Sequence, residues 1–568
     1  MIKKLLTVLS LKEKKNFIKL IFVLIFTVIL EMLSVGIILP TLSIILDTNK
    51  SFSYLEDLDL NFLSFLSKDN LIYFTLFFLS FIFIFKNIII FFSLKYQAKV
   101  LATYNENLVN SIYRKYLGQP LKILMSYNTS FLSRNIIEIT NIFSNNLLQS
   151  ILSVITESFL LIGILIILFI NQFYLTLFSI VIILPVAFII YNSNKKKLIF
   201  LGEQSKFHWG ARLKKIQETF GGVLEVKTFG KQDQFFNKFK FYNNKLKDIS
   251  VKLSVINTIP RLIFEILIIL IICSGIVYFS FNNFNIINIL PTLGLFVYAF
   301  LRLIPVTNKL LVSFQRIKYS SSILDEIHFI KIELISEKEN SKKKIFFNKK
   351  ISINNLSYSY DSSQNLFSNL NIEIKKNSLV GIYGKSGSGK STLLKILLGL
   401  IKPTYGNILS DGEDISNHIS SWQQITGFVP QNVYIMDDTL ENNISMLGEK
   451  NKINQNKIYE IINKVNLVDF LNHLPKKENT ILGEVGQRIS GGQKQRIGIA
   501  RALYSDPQIL ILDESTSNLD NDTENQILRE LKMLTKNLTI IIVSHRENIK
   551  NYCDTVYTLE NQNIKKIK

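Results

Sequence analysis

Six long apolar segments in the first 320 residues restrict the folds that this chain can adopt. They lie near residues 17–46, 71–94, 147–170, 173–191, 254–281 and 284–314. A helix needs about 20 apolar residues to cross roughly 30 Å of hydrocarbon, because it rises about 1.5 Å per residue. The mean hydropathy is positive and hydrophobic residues make up 48% of the chain, a combination that is unusual for a soluble enzyme and points to membrane spans. The pattern predicts an α-helical membrane domain with six spans.

The charges between these segments predict which side of the membrane each loop occupies. Residues 47–70 contain five acidic side chains and two lysines, whereas residues 192–252 contain fourteen lysines or arginines and five acids. Lysine and arginine concentrate in cytoplasmic loops, so we expect the N-terminus, residues 95–146 and 192–252, and the C-terminal part to be cytoplasmic. The net charge of +21 then follows from topology, and no nucleic-acid partner is expected.

The composition also predicts domain boundaries. The two long cytoplasmic loops contain little glycine or proline, which predicts helical extensions of the spans, with a turn at Gly221-Gly222. Residues 321–348 are rich in lysine, glutamate and serine, which predicts a linker between a membrane domain of residues 1–320 and a final domain of residues 349–568. In that final domain short β-type runs alternate with helical stretches, which indicates a mixed α/β fold.

A glycine-rich phosphate-loop pattern lies between a predicted strand, Leu379–Tyr383, and a predicted helix that begins near Ser391. The pattern and the residue after it read Gly384, Lys385, Ser386, Gly387, Ser388, Gly389, Lys390, Ser391 and Thr392. Glycines let backbone N–H groups approach phosphates, and the helix N-terminus adds partial positive charge. Lys390 is expected to reach the β- and γ-phosphates of a nucleotide, and the Ser391 hydroxyl to ligate Mg²⁺.

An apolar run that ends in two acids, Ile509–Glu514, follows later in the chain. Asp513, at the end of a buried strand, is expected to hold Mg²⁺ through water, and Glu514 to act as the general base that polarises the attacking water. An apolar strand that ends in acids is a weak signal alone, but its position after the phosphate loop strengthens it. Together the two motifs predict that ATP is bound and hydrolysed.

The order of these motifs resembles that of the ATP-binding cassette (ABC) transporters, and in particular of exporters that carry membrane and motor parts on one chain. The resemblance covers the whole chain and implies six transmembrane helices of the ABC exporter type plus an α/β P-loop NTPase domain. It implies that Tyr360 stacks on adenine. It also implies that Gln431 links the γ-phosphate and metal to the membrane part, and that His545 contacts the γ-phosphate.

The signature motif of the same family is matched by four consecutive residues, Ser490, Gly491, Gly492 and Gln493. In the family this motif covers ATP bound to the opposite subunit, so one phosphate loop and one signature per chain imply a homodimer with two active sites. Ser517-Asn518-Leu519-Asp520 resembles the loop that communicates across the dimer, with Asn518 where the family usually has alanine.

Charged side chains inside the apolar segments bear on what crosses the membrane, because each costs about 2.5–3.5 kcal/mol at a bilayer centre unless it is paired or faces water. They include Glu31, Lys86, Glu157, Arg261, Glu265 and Arg302. The three cations fall in the inner half of three different spans, which favours a basic ring that would bind an anionic head group such as a diphosphate. The alternative is that they pair with glutamates, such as Glu265 one turn from Arg261, or extend to the interface.

Within the family the chain resembles the bacterial flippases of lipid-linked oligosaccharides. The residues that carry this resemblance are Glu31, Pro260-Arg261, Glu265, Arg302-Leu303-Ile304-Pro305 and Asn308. It implies ATP-driven flipping of such a glycan, or of another anionic lipid-linked glycan, from the cytoplasmic to the outer leaflet of the bacterial inner membrane.

Two other functions remain open from the residues alone. An exporter of hydrophobic drugs, lipids or peptides should lack the basic ring, and neutral substrates should then stimulate its ATPase. A nucleotide-gated channel would show ion conductance. A soluble cassette ATPase that acts on DNA or ribosomes is excluded by the six predicted spans.

Overall fold

The computed structural model describes most of the chain. The described residues are 2–46, 68–281, 286–334, 344–360, 365–385, 387–446, 453–483, 489–514, 521–560 and 562–568. Most of the predicted outer loop 47–70, Ser386 and the predicted dimer-communication loop at residues 517–520 lie outside them. The chain divides into two compact units, Met1–Gln119 with Leu124–Ser336, and Pro120–Ile123 with Glu337–Lys568.

Helices account for almost all of the described residues before residue 334. They are α1 (Ile2–Val8), α2 (Leu11–Gly36), α3 (Ile38–Leu46), α4 (Lys68–Leu117), α5 (Leu121–Ser126), α6 (Thr129–Arg134), α7 (Thr140–Ile142), α8 (Gln149–Asn171), α9 (Phe173–Gly221), α10 (Val223–Thr228), α11 (Gln232–Phe281), α12 (Ile286–Tyr319) and α13 (Ser321–His328). Two π-helical stretches, Asn135–Ile139 and Phe143–Leu148, join α6, α7 and α8, and a third, Phe329–Glu333, follows α13.

Six helical stretches among the described residues are long and apolar enough to cross a membrane, as predicted. They are Leu11–Ile45, Asn70–Leu117, Thr129–Asn171, Phe173–Gly221, Gln232–Val277 and Gly294–Tyr319. Helices α9 and α11 contain 49 and 50 residues. At about 1.5 Å per residue they reach roughly 75 Å, more than twice the hydrocarbon thickness, so they continue well beyond a bilayer. The predicted helical extensions are therefore present, and the turn at Gly221-Gly222 separates α9 from α10.

Residues 321–334 differ from the predicted linker, because they form α13 and the π-helical stretch after it. Ile323, Leu324 and Ile327 recur at helical spacing and are at most 5% exposed. Their polar neighbours are held on the other side of the helix, where Lys4 Nζ donates to Asp325 Oδ1 at 2.6 Å. The charged composition that suggested a linker thus belongs to an amphipathic helix, in which Asp325 is exposed and Glu326 is largely buried and paired with Arg134 and Lys206.

Helix α9 packs closely on other helices of the first unit. A Cβ on Gly202 would lie 2.5 Å from the Tyr319 carbonyl oxygen at the end of α12, so this contact requires glycine. A larger residue at position 202 would therefore separate α9 from α12.

Further along α9, the Arg212 guanidinium lies 5.6 Å from the centre of the half-buried Trp209 ring.

The second unit contains two sheets. Their strands are β1 (Lys350–Ser359), β2 (Asn365–Lys375), β3 (Leu379–Tyr383), β4 (Tyr405–Ser410), β5 (Glu413–Asp414), β6 (Thr426–Val429), β7 (Ile509–Asp513), β8 (Thr539–Ser544), β9 (Thr555–Glu560) and β10 (Asn563–Lys566). One sheet is antiparallel with the order β2-β1-β4-β5, and the other has the order β10-β9-β3-β8-β7-β6. In the larger sheet β9, β3, β8, β7 and β6 are parallel.

Helices of the second unit flank these strands in sequence. They are α14 (Lys390–Leu397), α15 (Ile419–Gln424), α16 (Leu440–Ser445), α17 (Gln455–Lys464), α18 (Val468–His473), α19 (Gly491–Tyr504) and α20 (Asn521–Leu534). Trp422 of α15 is fully buried, and its indole N–H donates to the Leu397 carbonyl oxygen, the last residue of α14, at 2.7 Å. This bond fixes the C-terminal end of α14 against α15.

The register of the larger sheet places several loops at one edge. Tyr383 of β3 is paired with Ser544 of β8, and Asp513 of β7 with Val543 of β8. All five residues of β7 are buried, as expected for a central parallel strand with both faces covered. Because parallel strands end at the same edge, the segments that follow β3, β6, β7 and β8 leave the sheet side by side. Ligands of open α/β sheets bind at this edge.

Candidate functional site

The phosphate-loop residues connect β3 to α14, as predicted. Gly387 and Gly389 have φ angles of +82° and +97°, a left-handed conformation that favours glycine. A Cβ on Gly384 would lie 2.6 Å from the Leu559 carbonyl oxygen, so glycine is needed there as well. Among the described residues, the hydroxyl of Ser388 is buried and has no hydrogen-bond partner. A buried polar atom of this kind is consistent with a loop shaped to bind an anion.

Lys390, the first residue of α14, turns its side chain back into the loop. Its Nζ donates to the carbonyl oxygens of Gly384 and Lys385, both at 2.9 Å, and lies 3.3 Å from Glu514 Oε1. The residue is only 4% exposed. A buried ammonium group is costly unless it is paired, and these contacts hold the charge within the loop.

The predicted metal and hydrolysis residues come together at the sheet edge. The Ser391 hydroxyl donates to Asp513 Oδ1 at 3.2 Å. Gln431 Nε2, from the segment after β6, donates to Glu514 Oε2 at 2.9 Å. His545, directly after β8, has its Nδ1 3.8 Å from the same carboxylate oxygen. Residues that are distant in sequence thus surround one carboxylate.

Glu514 has an uncommon backbone conformation, with φ of +42°. Its N–H donates to the Val543 carbonyl oxygen at 2.9 Å, which holds the residue against the end of β8. Positive φ at a non-glycine residue is strained, and such strain concentrates at functional sites. In Glu514 the strained backbone conformation accompanies a carboxylate that lies between Gln431 and His545.

Tyr360, predicted to stack on adenine, lies beside the phosphate-loop helix. Its hydroxyl is 2.9 Å from Thr392 Oγ1, and its ring meets that of Tyr358 edge to face with centroids 5.0 Å apart. Tyr360 is 47% exposed, so one side of the ring remains accessible to a ligand. Stacking on adenine stays a prediction.

The signature motif begins α19. Ser490 is its N-cap and makes a reciprocal capping box with Gln493, in which the Gln493 N–H donates to Ser490 Oγ at 3.3 Å and the Ser490 N–H to Gln493 Oε1 at 3.0 Å. Among the described residues no hydrogen bond or ion pair joins Ser490–Gln493 to the phosphate loop of the same chain.

Comparison with known families accounts for both units. A model described as the ABC transporter transmembrane region matches residues 17–303, half of the chain, and a model described as ABC transporter matches residues 367–517.

The chain belongs to the ABC transporter family.

A solved structure, described as a bacterial Atm1-family ABC exporter with ATP bound, resembles this ABC transporter over 97% of this chain and 94% of that chain, with a TM-score of 0.77. The two sequences are 20% identical, so the likeness is evidence for the fold, an ABC exporter with an α/β nucleotide-binding domain. The family membership establishes that ATP hydrolysis is coupled to transport.

Several curated proteins are similar to this ABC transporter. The ATP-dependent lipid A-core flippase of Syntrophus aciditrophicus is 27% identical over 466 residues, which cover 80% of this chain and 75% of that protein. The protein with the same description from Francisella tularensis subsp. holarctica is 27% identical over 463 residues, 79% of this chain and 74% of that protein. The multidrug resistance-like ATP-binding protein MdlB of Buchnera aphidicola is 31% identical over 357 residues, 61% of this chain and 59% of that protein.

In the first unit, which contains the six apolar helical stretches and is called the membrane unit below, Lys86 and Arg302 both lie near the α2 helix. Lys86 is 1% exposed, and its Nζ donates to Ser34 Oγ at 2.9 Å and lies 4.2 Å from the centre of the Phe83 ring. Arg302 Nη1 lies 3.8 Å from Glu31 Oε1, one turn from Ser34 on the same helix. Both cations already contact groups of α2.

Arg261 is placed differently from the other two predicted cavity cations. Its Nε donates to Glu265 Oε1 at 2.9 Å on the same helix, and the Arg261 side chain is 63% exposed. This is the pairing that the alternative interpretation of the intramembrane charges anticipates. A single ring formed by Lys86, Arg261 and Arg302 stays a prediction.

The sequence interpretation missed a further intramembrane ion pair. Lys309 Nζ of α12 donates to Glu157 Oε1 of α8 at 2.5 Å, and the Lys309 side chain is 57% exposed. Lys309 lies inside the sixth apolar segment, so an inventory of every charge in that segment would have found it. Lys309 thus adds an accessible cation to the charged and polar side chains of α2, α8 and α12.

Asp513 provides a stability prediction. Burial raises the pKa of its carboxyl, and the neighbouring Glu514 charge raises that pKa further. When the pKa of a carboxyl is higher in the folded than in the unfolded state, the free energy of unfolding is highest at acidic pH, where both states are protonated. It falls as the pH rises through the folded-state pKa. The Asp513→Asn variant, which stays neutral, should therefore melt at a higher temperature than the parent protein at neutral pH without nucleotide, and the difference should shrink towards pH 4. Thermal unfolding across pH measures this; a lower melting temperature for the variant at neutral pH would contradict it.

Proposed function

We propose that the site at the sheet edge binds and hydrolyses MgATP with the residues that the sequence singles out. Lys390 and the loop glycines would hold the phosphates. Glu514 would orient the attacking water as general base, and His545 would contact the γ-phosphate. The meeting of Lys390, Gln431 and His545 around Glu514 carries this proposal.

The donor set at this edge fits a magnesium ion. Mg²⁺ prefers oxygen ligands and usually keeps several waters, and the Ser391 hydroxyl, the Asp513 carboxylate and the Gln431 amide can supply such oxygens. The bond between Ser391 and Asp513 shows that two of these groups already lie within hydrogen-bond distance. When bound, the ion would neutralise charge that develops on the phosphates.

The working unit that we propose is a homodimer. The signature motif, Ser490–Gln493, would cover the nucleotide held by the phosphate loop of the second copy. Its capping box leaves the first N–H groups of α19 at a helix terminus, where an anion is favoured. Two identical chains would then form two complete sites and twelve spans.

The distribution of charge supports a proposed location in the bacterial inner membrane, with the N-terminus and the nucleotide-binding domain in the cytoplasm. Fourteen basic residues in segment 192–252, against two lysines in segment 47–70, follow the positive-inside rule. The helices α9 and α11 that carry this basic segment continue beyond the length of a membrane crossing.

We propose that the transported molecule is an anionic lipid-linked glycan, such as a lipid-linked oligosaccharide, flipped to the outer leaflet. Around helices α2, α8 and α12, the described side chains include three cations (Lys86, Arg302, Lys309) and two carboxylates (Glu31, Glu157), while Arg261 pairs with Glu265 on α11. An excess of positive charge at membrane depth is expensive without an anionic partner. Relatives described as lipid A-core flippases, whose substrate is a lipid, support this class of molecule.

Export of hydrophobic drugs is the second candidate. A relative described as a multidrug resistance-like protein is 31% identical to this chain. Under this alternative the ion pairs of Glu31 and Glu157 would be structural, and uncharged compounds would stimulate the ATPase.

Flipping and ATPase measured on one reconstituted preparation separate the two candidates. The variant Lys86→Gln/Arg302→Gln should lose flipping of a polyprenyl diphosphate-linked oligosaccharide, while basal ATPase largely survives. The matched control is Lys252→Gln, an exposed cation on α11, which should flip normally. Adding Arg261→Gln tests whether the predicted ring includes this residue.

Each other outcome has a definite meaning. Unchanged flipping by the double variant would overturn the anionic substrate and favour the general exporter. Loss of ATPase together with flipping would instead show that these cations maintain the fold.

A further inference from the structure

A buried ion pair lies directly beyond His545 in the second unit, which contains the nucleotide site and is called the nucleotide-binding unit below. Arg546 Nη1 donates to Glu524 Oε2 at 2.6 Å, and Asn548 Nδ2 donates to the same oxygen at 2.8 Å. The Glu524 side chain is fully buried, and that of Arg546 is 27% exposed. Glu524 lies in the first turn of α20, which begins seven residues after Glu514. The pair therefore ties the start of α20 to the chain that leaves β8.

His545 is fixed more by its backbone than by its own side chain. The imidazole is 44% exposed and, at 3.8 Å, it is beyond hydrogen-bond distance of Glu514. On one side Ser544 is held in the sheet by its pairing with Tyr383. On the other side the Arg546 N–H donates to Ser544 Oγ at 3.0 Å, and the Arg546 side chain is anchored on Glu524.

A second contact strengthens the same connection. The Tyr552 hydroxyl, beyond the 3₁₀ turn Glu547–Asn551, donates to Asn525 Oδ1 of α20 at 3.3 Å. The segment after β8 is thus attached to α20 along its length, because Asp554 at its end also forms an ion pair with Lys532 of α20. A buried ion pair is weak evidence for stability, because apolar residues of similar volume often stabilise a fold equally well. Its geometric effect, which is to fix one segment against another, is the better explanation.

We propose that the Arg546–Glu524 pair is a positioning element for ATP hydrolysis, which holds His545 at the correct distance from Glu514 and the γ-phosphate. The inference rests on the proposed role of His545 in the same site. In this proposal Arg546 and Glu524 are positioning residues. They act through the backbone of His545, and loss of the pair should affect the chemical step rather than the affinity for ATP.

The first test is the Glu524→Gln variant of the full-length protein. We expect kcat for ATP to fall roughly 10- to 100-fold, because small displacements of a reacting group cost that much. The KM for ATP should stay within about twofold, since the phosphate loop and Tyr360 are unchanged. A rise in the KM for ATP with an unchanged kcat would overturn the proposal.

A double-variant cycle distinguishes positioning from general support of the fold. If the pair acts through His545, Glu524→Gln should cause no further loss of kcat in a His545→Ala background, because the two losses are coupled. Multiplicative losses would overturn the positioning role and leave the proposed function of His545 intact. A normal kcat for His545→Ala alone would overturn that function, and this inference with it.

Matched variants control for folding. Glu530→Gln changes a carboxylate on the same helix, α20, whose partner Arg496 lies 3.8 Å away; kcat should change less than about twofold. Arg546→Lys keeps the positive charge and should retain more activity than Arg546→Gln. If a thermal unfolding experiment shows that Glu524→Gln is not folded, the comparison of these two Arg546 variants tests the same pair. Equal kcat values for Arg546→Lys and Arg546→Gln would overturn the proposal.

Discussion

Replacement of Glu514 by glutamine should abolish ATP turnover while it preserves ATP binding. The amide keeps the size of the side chain and a hydrogen bond to Gln431, but it loses the charge that orients and polarises water. General-base catalysis of this kind contributes about 10²–10⁴-fold, so kcat should fall by at least two orders of magnitude. Steady-state hydrolysis and nucleotide binding on purified protein measure both quantities, and the variant should accumulate as a nucleotide-bound closed dimer.

The matched control for this substitution is Glu530→Gln, a carboxylate of the same unit that lies in α20, outside the nucleotide site. It should hydrolyse ATP at nearly the parent rate. Turnover close to normal in purified Glu514→Gln would show that another residue is the general base.

The Lys390→Met substitution should produce the second large effect, a loss of ATP affinity. The ammonium group is buried and is held by two carbonyl oxygens of the loop, within 3.3 Å of Glu514. Hydrogen bonds to charged groups contribute about 1.5–3 kcal/mol, which predicts a rise in the Kd for ATP of roughly 10- to 100-fold. Equilibrium binding of a fluorescent ATP analogue would measure it.

Lys402→Met serves as the control for this second prediction, because Lys402 is exposed and lies after α14 rather than at its start. It should bind ATP with unchanged affinity. An unchanged Kd in Lys390→Met would mean that the loop N–H groups alone hold the phosphates. The two substitutions should thus separate binding from hydrolysis within one site.

The fold was largely predictable because its signals are local and repeated. Each span is a long apolar run, and the central strand β7 is an unbroken apolar segment because both of its faces are covered. The exception is residues 321–334, where a charged composition suggested a linker. The burial of Ile323 and Ile327 depends on contacts with distant residues, and composition carries no information about such contacts.

The residues at the nucleotide site were predictable for a different reason. Lys390, Asp513 and Glu514 belong to motifs in which spacing and chemistry are linked, and the parallel sheet brings such motifs to one edge. The pair of Arg546 and Glu524 had no such signal. Its two members lie 22 residues apart and have common residue types, so only the packing of α20 against the chain after β8 reveals them.

The two tryptophans are distributed so that the protein carries a natural fluorophore in each unit. Trp209 lies on α9 under Arg212, whereas Trp422 is buried and hydrogen-bonded to the end of α14, the helix that begins at Lys390. Substitution of Trp209 by phenylalanine would leave emission from the nucleotide-binding unit alone. The remaining indole is attached to the helix that follows the phosphate loop, so its spectrum would report directly on that helix without an added dye.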